Sequence, residues 1–498
     1  MGPLSPARSP NKHHINGKRK DFKYAIIGSP EKSSTPKKKR AFDSSAESTQ
    51  TRLKTTLPEN QKHFINGSGR LNGKPKINGA GPSSISEQRR SLPIWSARKS
   101  LIREIQAHDC VVILGETGSG KTTQIPQFIY EANICQEPLV IAVTQPRRVA
   151  ATSLAARVSM EQGTPLGDRV GYSVRFDDKT SDETRIKFMT DGMLDRELLG
   201  DPMLSRYGVI IVDEAHERTL RTDLLLTSLK TILSTRNFSS HKEDKGKRKE
   251  LPPLKVIIMS ATLDAQRFSD FLNGAKILYV KGRQHPVKVL HTAEAQKDYI
   301  EAALQTFFQI HTERPAGDVL IFLPGQEEIE SLTSSIESLA EQIPPEGMQV
   351  LVCPMYAALP PTIQAKVFGR TPSNTRKVVL ATNIAETSIT IPGVKYVIDT
   401  GLCKEKRYFP RGRGSGVDAL LVQAISKSSA LQRTGRAGRE GEGWCFRLYT
   451  ELAYSTQFAE AAVPEIQRCN LTHAILQMKC LGQNPEVADF MDAPSQET

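Results

Sequence analysis

A chain of 498 residues has room for roughly two to four domains of about 100–200 residues each. Its net charge of +13 is uneven: residues 1–90 hold 19 Lys or Arg and 6 Asp or Glu, whereas 91–498 carry 48 of each and are neutral. No run of about 18 apolar residues points to a membrane span, and no apolar stretch near Met1 marks a secretory signal. The seven cysteines (110, 135, 353, 403, 445, 469, 480) include no C-x-x-C pair, which argues against a disulfide framework or zinc ribbon and fits a reducing compartment.

Residues 1–88 are rich in Ser, Pro, Asn, Gly and Lys and lack periodicity, so they are expected to be a disordered basic tail. Its clusters "NGKRKDFK" (16–23) and "TPKKKRAF" (35–42) read either as solvated charge or as phosphate-seeking or nuclear-import patches. The Pro and four basic residues at 36–40 resemble a nuclear localisation signal.

From about residue 93, apolar runs alternate with longer amphipathic stretches. Strands are predicted at 110–115, 139–145, 208–214 and 254–261, and in a second series at 318–325, 351–357, 377–383 and 394–401. Runs of Val, Ile and Leu with little alternation suggest parallel strands covered on both faces. Helices such as 124–134 and 326–343 supply the crossovers. Two tandem α/β domains are expected, at 89–284 and 285–463, and the polar stretch 234–253 reads as a surface loop, with RNA contact the alternative.

"GETGSGKT" (115–122) stands between a predicted strand and a predicted helix and matches G-x-x-x-x-G-K-[ST]. Such a loop cradles phosphates with its backbone N–H groups, so Gly115, Glu116, Thr117, Gly118, Ser119, Gly120, Lys121, Thr122 and Thr123 are candidate nucleotide contacts. Lys121 would neutralise β/γ charge, and Thr122 would ligate Mg²⁺. "VIIVDEAHERT" (209–219) ends a buried strand in two carboxylates, costly away from water unless a partner charge meets them. Asp213 is then a metal ligand at the end of a neighbouring strand, and Glu214 a second metal-side carboxylate and the general base for the attacking water. The bland alternative is two acids capping the next helix. His216 is not expected to bind metal, since no second ligand sits at metal spacing.

Asp213-Glu214-Ala215-His216 resembles the DEAH box of superfamily 2 RNA helicases, and other motifs follow in that family's order. These are "TQPRRVAA" (144–151), "TDGML" (190–194), "SAT" (260–262), "FLPGQEEI" (322–329), "TNIAETSIT" (382–390) and "QRTGRAGR" (432–439). The resemblance covers about 90–495 and implies two RecA-like domains that use ATP and Mg²⁺ to move along RNA towards its 5′ end. Arg436 and Arg439, three apart, would share one face at a helix start as arginine fingers, with Gln432 on γ-phosphate or water. His216 would hydrogen-bond across the cleft. Arg157 and Phe368 match a pair that sandwiches the base, which would accept any nucleobase; as alternatives they are a surface arginine and a core residue. Arg147, Arg148, Arg175, Thr190, Gly325, Thr382 and Asn383 match groups that contact the RNA backbone without reading sequence. "KEKRYFPRGRGSG" (404–416) resembles the duplex-parting hairpin.

Residues 89–105 and 174–188 look most like nucleolar helicases of ribosome biogenesis, so pre-rRNA processing in the nucleolus is expected. A spliceosomal helicase, a non-unwinding NTP-binding assembly factor and a DNA translocase are the alternatives. Members of the family continue with a winged helix, a helical bundle and an OB-fold; residues 464–498 resemble only the entry to the winged helix. Hydrolysis with weak RNA stimulation and poor unwinding is therefore expected of these 498 residues, and protein activators are conceivable partners.

Overall fold

The computed structural model describes residues 25–27, 82–116, 118–238, 251–261, 264–282, 284–387, 389–411 and 415–495. Two parallel sheets flanked by helices account for most of them, as the unbroken Val/Ile/Leu runs require. In spatial order the first sheet runs Ala25–Ile27, Lys276–Val280, Cys110–Gly115, Lys255–Ser260, Tyr207–Val212, Val140–Gln145, Ile186–Thr190, Val170–Val174 and Asp177–Lys179. Only its last pair is antiparallel. The second sheet is wholly parallel, in the order Val287–His291, Gly443–Arg447, Val394–Asp399, Asp318–Phe322, Thr375–Ala381 and Gln349–Met355.

Period-two alternation divides each core between the faces of its sheet. Val111 and Ile113 join one apolar cluster while Val112 and Leu114 join the cluster opposite. In the second sheet Val319 and Ile321 face one way, Leu320 and Phe322 the other. All eight side chains are at most 3% exposed, and burying each contributes roughly 1.5–3 kcal/mol.

Several boundaries differ from the sequence expectation. The second sheet begins before 318, with Val287–His291, an edge strand whose half-exposed side chains hide its pattern. Strands at Val170–Val174 and Ile186–Thr190 were not predicted, because Gly171, Ser173 and Lys187 interrupt their apolar character. The loop expected from 234 is helical through Phe238; Arg236 donates to the Pro252 carbonyl and the Asn237 amide to that of Leu254, drawing its two ends together. Residues 239–250 lie outside the described residues, as do both basic clusters of the tail. Within the segment expected to be disordered, Ala25–Ile27 pairs in parallel with Lys276–Val280, and a helix covers Pro82–Ser91.

Two further pieces decorate the sheets. Leu402–Arg411 and Ser415–Ala424 form a long antiparallel hairpin on the second domain. After the second sheet the chain returns to the first, where the helix Thr472–Cys480 packs Ala474 and Met478 against Leu224. Asp492 pairs with Arg218 at 2.5 Å and with Arg267, and Asp489 with Lys230 at 2.5 Å.

Candidate active site

The motifs gather at the carboxyl ends of the parallel strands, where open α/β sheets bind ligands. After Cys110–Gly115 the chain turns through Gly118 (φ 81°) and Gly120 (φ 90°) into the helix Lys121–Glu131. A side chain at Gly120 would be strained at that φ and would meet Leu92 at 3.0 Å. Lys121 and Ser119 are buried, and the Ser119 hydroxyl has no partner among the described residues. Glu116 accepts from the Tyr279 hydroxyl at 3.2 Å, and the Thr123 hydroxyl donates to the Gly120 carbonyl at 3.3 Å. Thr117 lies outside the described residues.

Asp213 is only 1% exposed. Its carboxylate accepts from the Thr122 hydroxyl and the Gln145 amide, each at 2.7 Å, and from the Glu214 N–H at 2.9 Å. Burial, then the neighbouring Glu214, pushes its pKa up to about 6, against the pull of Lys121 and these donors. The expectation that its strand neighbours the phosphate-loop strand needs correcting. Lys255–Ser260 lies between them, and Thr122 on the first helical turn spans the gap.

Glu214 and Arg218 both adopt left-handed backbone, with φ 52° and 49°. Between them Ala215–Glu217 forms one tight turn, closed by the Glu217 N–H on the Glu214 carbonyl at 2.9 Å. Two non-glycine residues in that region cost about 1–3 kcal/mol each and persist where surroundings dictate them. Among the described residues, the contacts of His216 lie within its own domain rather than across the cleft where they were expected. Its Nδ1 accepts from the Ala261 N–H at 3.3 Å, and its Nε2 lies 3.5 Å from Glu214. Burial lowers its pKa, so the ring is neutral. Among the described residues, a bond that does cross comes from Thr387, whose hydroxyl donates to Glu217.

On the far side Gln432 lies in the helix Lys427–Gly435, and its Oε1 is buried without a partner among the described residues. Arg436 caps the end of that helix rather than its start, and Arg439 lies beyond it. The two converge because both donate to the Ile389 carbonyl, at 2.7 Å and 3.1 Å; Arg436 also donates to the Glu386 carbonyl and Arg439 to Thr390. Burial lowers the Arg436 pKa to about 10, partly offset by the carboxylates of Glu214, Glu386 and Glu217. Burial and the adjacent Arg436 lower that of Arg439. Each keeps a buried Nε without a partner among the described residues, a donor left for a ligand.

The other candidates divide. Arg147 precedes the helix Arg148–Gln162 and pairs with Glu217 at 3.0 Å, while Arg148 is exposed. Thr190 ends a strand and precedes the helix Asp191–Gly200; Gly325 and Thr382 follow strand ends and precede the helix Gln326–Ala340 and the turn Asn383–Ala385. Arg175 is exposed, its guanidinium 4.8 Å from the ring centre of Phe176, itself 89% exposed. Arg157 is exposed and paired with Glu161 at 2.6 Å, and Phe368 is half-buried against the second domain's core.

Sequence reasoning missed four residues. Glu217 borders a recognised motif, and Gln145, Glu386 and Arg433 lie inside motifs, but only contacts distinguish them. Arg433 is fully buried and joins Glu386 at 3.0 Å, Asp399 at 2.8 Å and the Leu402 carbonyl at the hairpin's root.

Residues 95–271 match the DEAD/DEAH box helicase family, and 298–441 match the helicase conserved C-terminal domain. ATP-dependent RNA helicase DHX33 is 52% identical over 418 residues in Homo sapiens and over 416 in Mus musculus, covering 83% of this chain and 57% of each relative. Pre-mRNA-splicing factor ATP-dependent RNA helicase DEAH10 of Arabidopsis thaliana is 49% identical over 438 residues, covering 82% of this chain and 60% of the relative. The chain thus spans somewhat over half the length of these relatives. With Asp213-Glu214-Ala215-His216 beside the phosphate loop and the arginines of the second sheet across the cleft, the chain belongs to the DEAH-box helicases.

Proposed function

We propose that the chain hydrolyses ATP, and accepts other NTPs, to translocate on and remodel RNA. The observation that carries this is the pairing of Thr122 with Asp213 at 2.7 Å in a buried site that Arg436 faces from the second domain. The residues suit a magnesium–nucleotide complex, because burial and the adjacent Glu214 raise the Asp213 pKa even against the pull of Lys121, so a further cation would be favoured there. Thr122 and Asp213 would hold the magnesium, and bound magnesium neutralises the β- and γ-phosphate oxygens. Glu214 then takes the proton of the attacking water, Lys121 and the phosphate loop hold the departing diphosphate, and Arg436, Arg439 and Gln432 stabilise the γ-phosphoryl. His216 stands beside Glu214, its Nε2 3.5 Å from the carboxylate. Arg157 and Phe368 clasp the base by stacking.

RNA is the proposed partner, gripped through its backbone by Arg147, Arg148, Arg175, Thr190, Gly325, Thr382 and Asn383, with the hairpin 402–424 parting duplexes. The units doing this are 89–284 and 285–463, with 1–88 a basic tail and 464–498 the opening of a winged-helix region. The test is NTP turnover and unwinding of a 3′-tailed RNA duplex by the purified chain, beside a DNA duplex. Turnover that RNA, unlike DNA, leaves unchanged would refute the RNA role. We place the work in pre-rRNA processing in the nucleolus, on the resemblance of residues 89–105 and 174–188. The splicing name of one relative favours pre-mRNA instead. Cross-linking in cells separates the two by whether pre-rRNA or spliceosomal RNA is recovered.

A further inference from the structure

Glu217 carries two contacts that belong to different functions. One carboxylate oxygen accepts from Arg147 at 3.0 Å, within the first domain. The other accepts from the Thr387 hydroxyl of the second domain. Its backbone N–H closes the three-residue turn onto the carbonyl of Glu214 at 2.9 Å, and left-handed residues flank that turn. The carboxylate is 11% exposed and Arg147 24%, so the pair is poorly screened yet reachable by a ligand. On the other side Thr387 follows Glu386, whose carbonyl accepts from Arg436 and whose carboxylate is held by the buried Arg433.

We infer that Glu217 is a positioning residue linking RNA contact at Arg147 to closure of the second domain at Thr387. A phosphate at Arg147 competes with Glu217 for the same guanidinium. Its arrival leaves the carboxylate's charge to Thr387, and so strengthens the hold on the corner that carries Arg436. A nucleotide that draws Arg436 inward acts on the same carboxylate from the opposite side. Coupling between sites must be reciprocal, so nucleotide changes RNA affinity as much as RNA changes nucleotide affinity. The inference rests on the reading of Arg147 as a phosphate contact.

The test measures binding of a labelled single-stranded RNA with and without a non-hydrolysable ATP analogue. Nucleotide should change the wild-type affinity at least fivefold, the low end of ordinary coupling between sites. Glu217→Gln should collapse that ratio towards one while holding or raising affinity without nucleotide, since it releases Arg147. Thr387→Val should collapse the ratio without that gain, and the double variant should be no worse than either single one. Weaker RNA binding by Glu217→Gln without nucleotide, an unchanged ratio, or additive losses would overturn the inference. Should the wild type bind no RNA, the RNA reading fails instead. The link is then judged by fluorescence energy transfer between dyes on the two domains, where non-additive loss of nucleotide-driven closure in the two variants supports it and additive or absent loss refutes it.

Discussion

In the proposed nucleotide site the first domain presents groups gathered at strand ends, whereas the second presents arginines slung from carbonyl oxygens. Asp213, Thr122 and Gln145 satisfy one another within 2.7 Å, at the end of the strand Tyr207–Val212, which is buried along its whole length. Arg436 and Arg439 instead hang on Ile389, Glu386 and Thr390, in a loop that must move with its domain. The first half is a cradle satisfied by its own side chains. The second approaches it from across the cleft, and Glu217 is one of the places where the two touch.

This contrast can be broken by substitution. If Arg436 acts only when delivered, Arg436→Ala should leave nucleotide binding within a few-fold and lower kcat by about 10³-fold or more, the scale of an arginine finger. Single-turnover hydrolysis beside a binding titration checks it, and a loss confined to binding would make Arg436 part of the cradle. In the cradle itself, Glu214→Gln should spare binding and lower hydrolysis by roughly 10²–10⁴-fold, as for a general base. Lys121→Ala should weaken binding by removing charge from the phosphates. Normal turnover by Glu214→Gln would remove Glu214 from its role.

Stability sharpens the comparison next. Arg433→Met leaves Asp399 and Glu386 without their buried cation and should destabilise the second domain by about 3–5 kcal/mol, read by denaturant unfolding. The first domain's transition should stay put. Base choice is a smaller effect. With stacking alone available, GTP, CTP and UTP should turn over within roughly tenfold of ATP, about 1.4 kcal/mol. Strict ATP dependence would reveal hydrogen bonds to adenine.

The smallest effect lies in the first domain's carboxyl pair. Burial, then Asp191, raises the pKa of Asp195 to about 7, and burial raises that of Asp191 to about 6. A carboxyl whose folded pKa is raised contributes stability below about pH 4, lost as pH rises through about 7. Asp195→Asn, always neutral, should therefore flatten the fall in stability between those values and match or exceed the wild type at pH 8. Thermal unfolding across that range tests it, and an unchanged slope would show that Asp195 stays ionised.

Much of this was legible in the chain, for local reasons. The Val/Ile/Leu runs had to be buried on both faces, so parallel sheets followed. "GETGSGKT" could be read because glycines at left-handed positions and a lysine at a helix start must be consecutive in sequence to cradle a phosphate. The acids after Val212 were legible as a strand end that needed a cation. Less legible were the edge strands such as Val287–His291, whose exposure on one side mixes polar and apolar residues.

By itself the sequence determined the two-sheet architecture, the phosphate loop, the carboxylates beside it and the DEAH-box family, all set by residues adjacent along the chain. Tertiary structure alone decided which histidine or glutamate crosses the cleft, that the strand of Ser260 separates the loop from Asp213, and that Arg436 ends a helix instead of starting one. Those depend on partners remote in sequence, such as Glu217 with Thr387, 170 positions apart. Spacing along a chain cannot show which of several neighbouring polar groups will meet when two separately folded sheets are brought together.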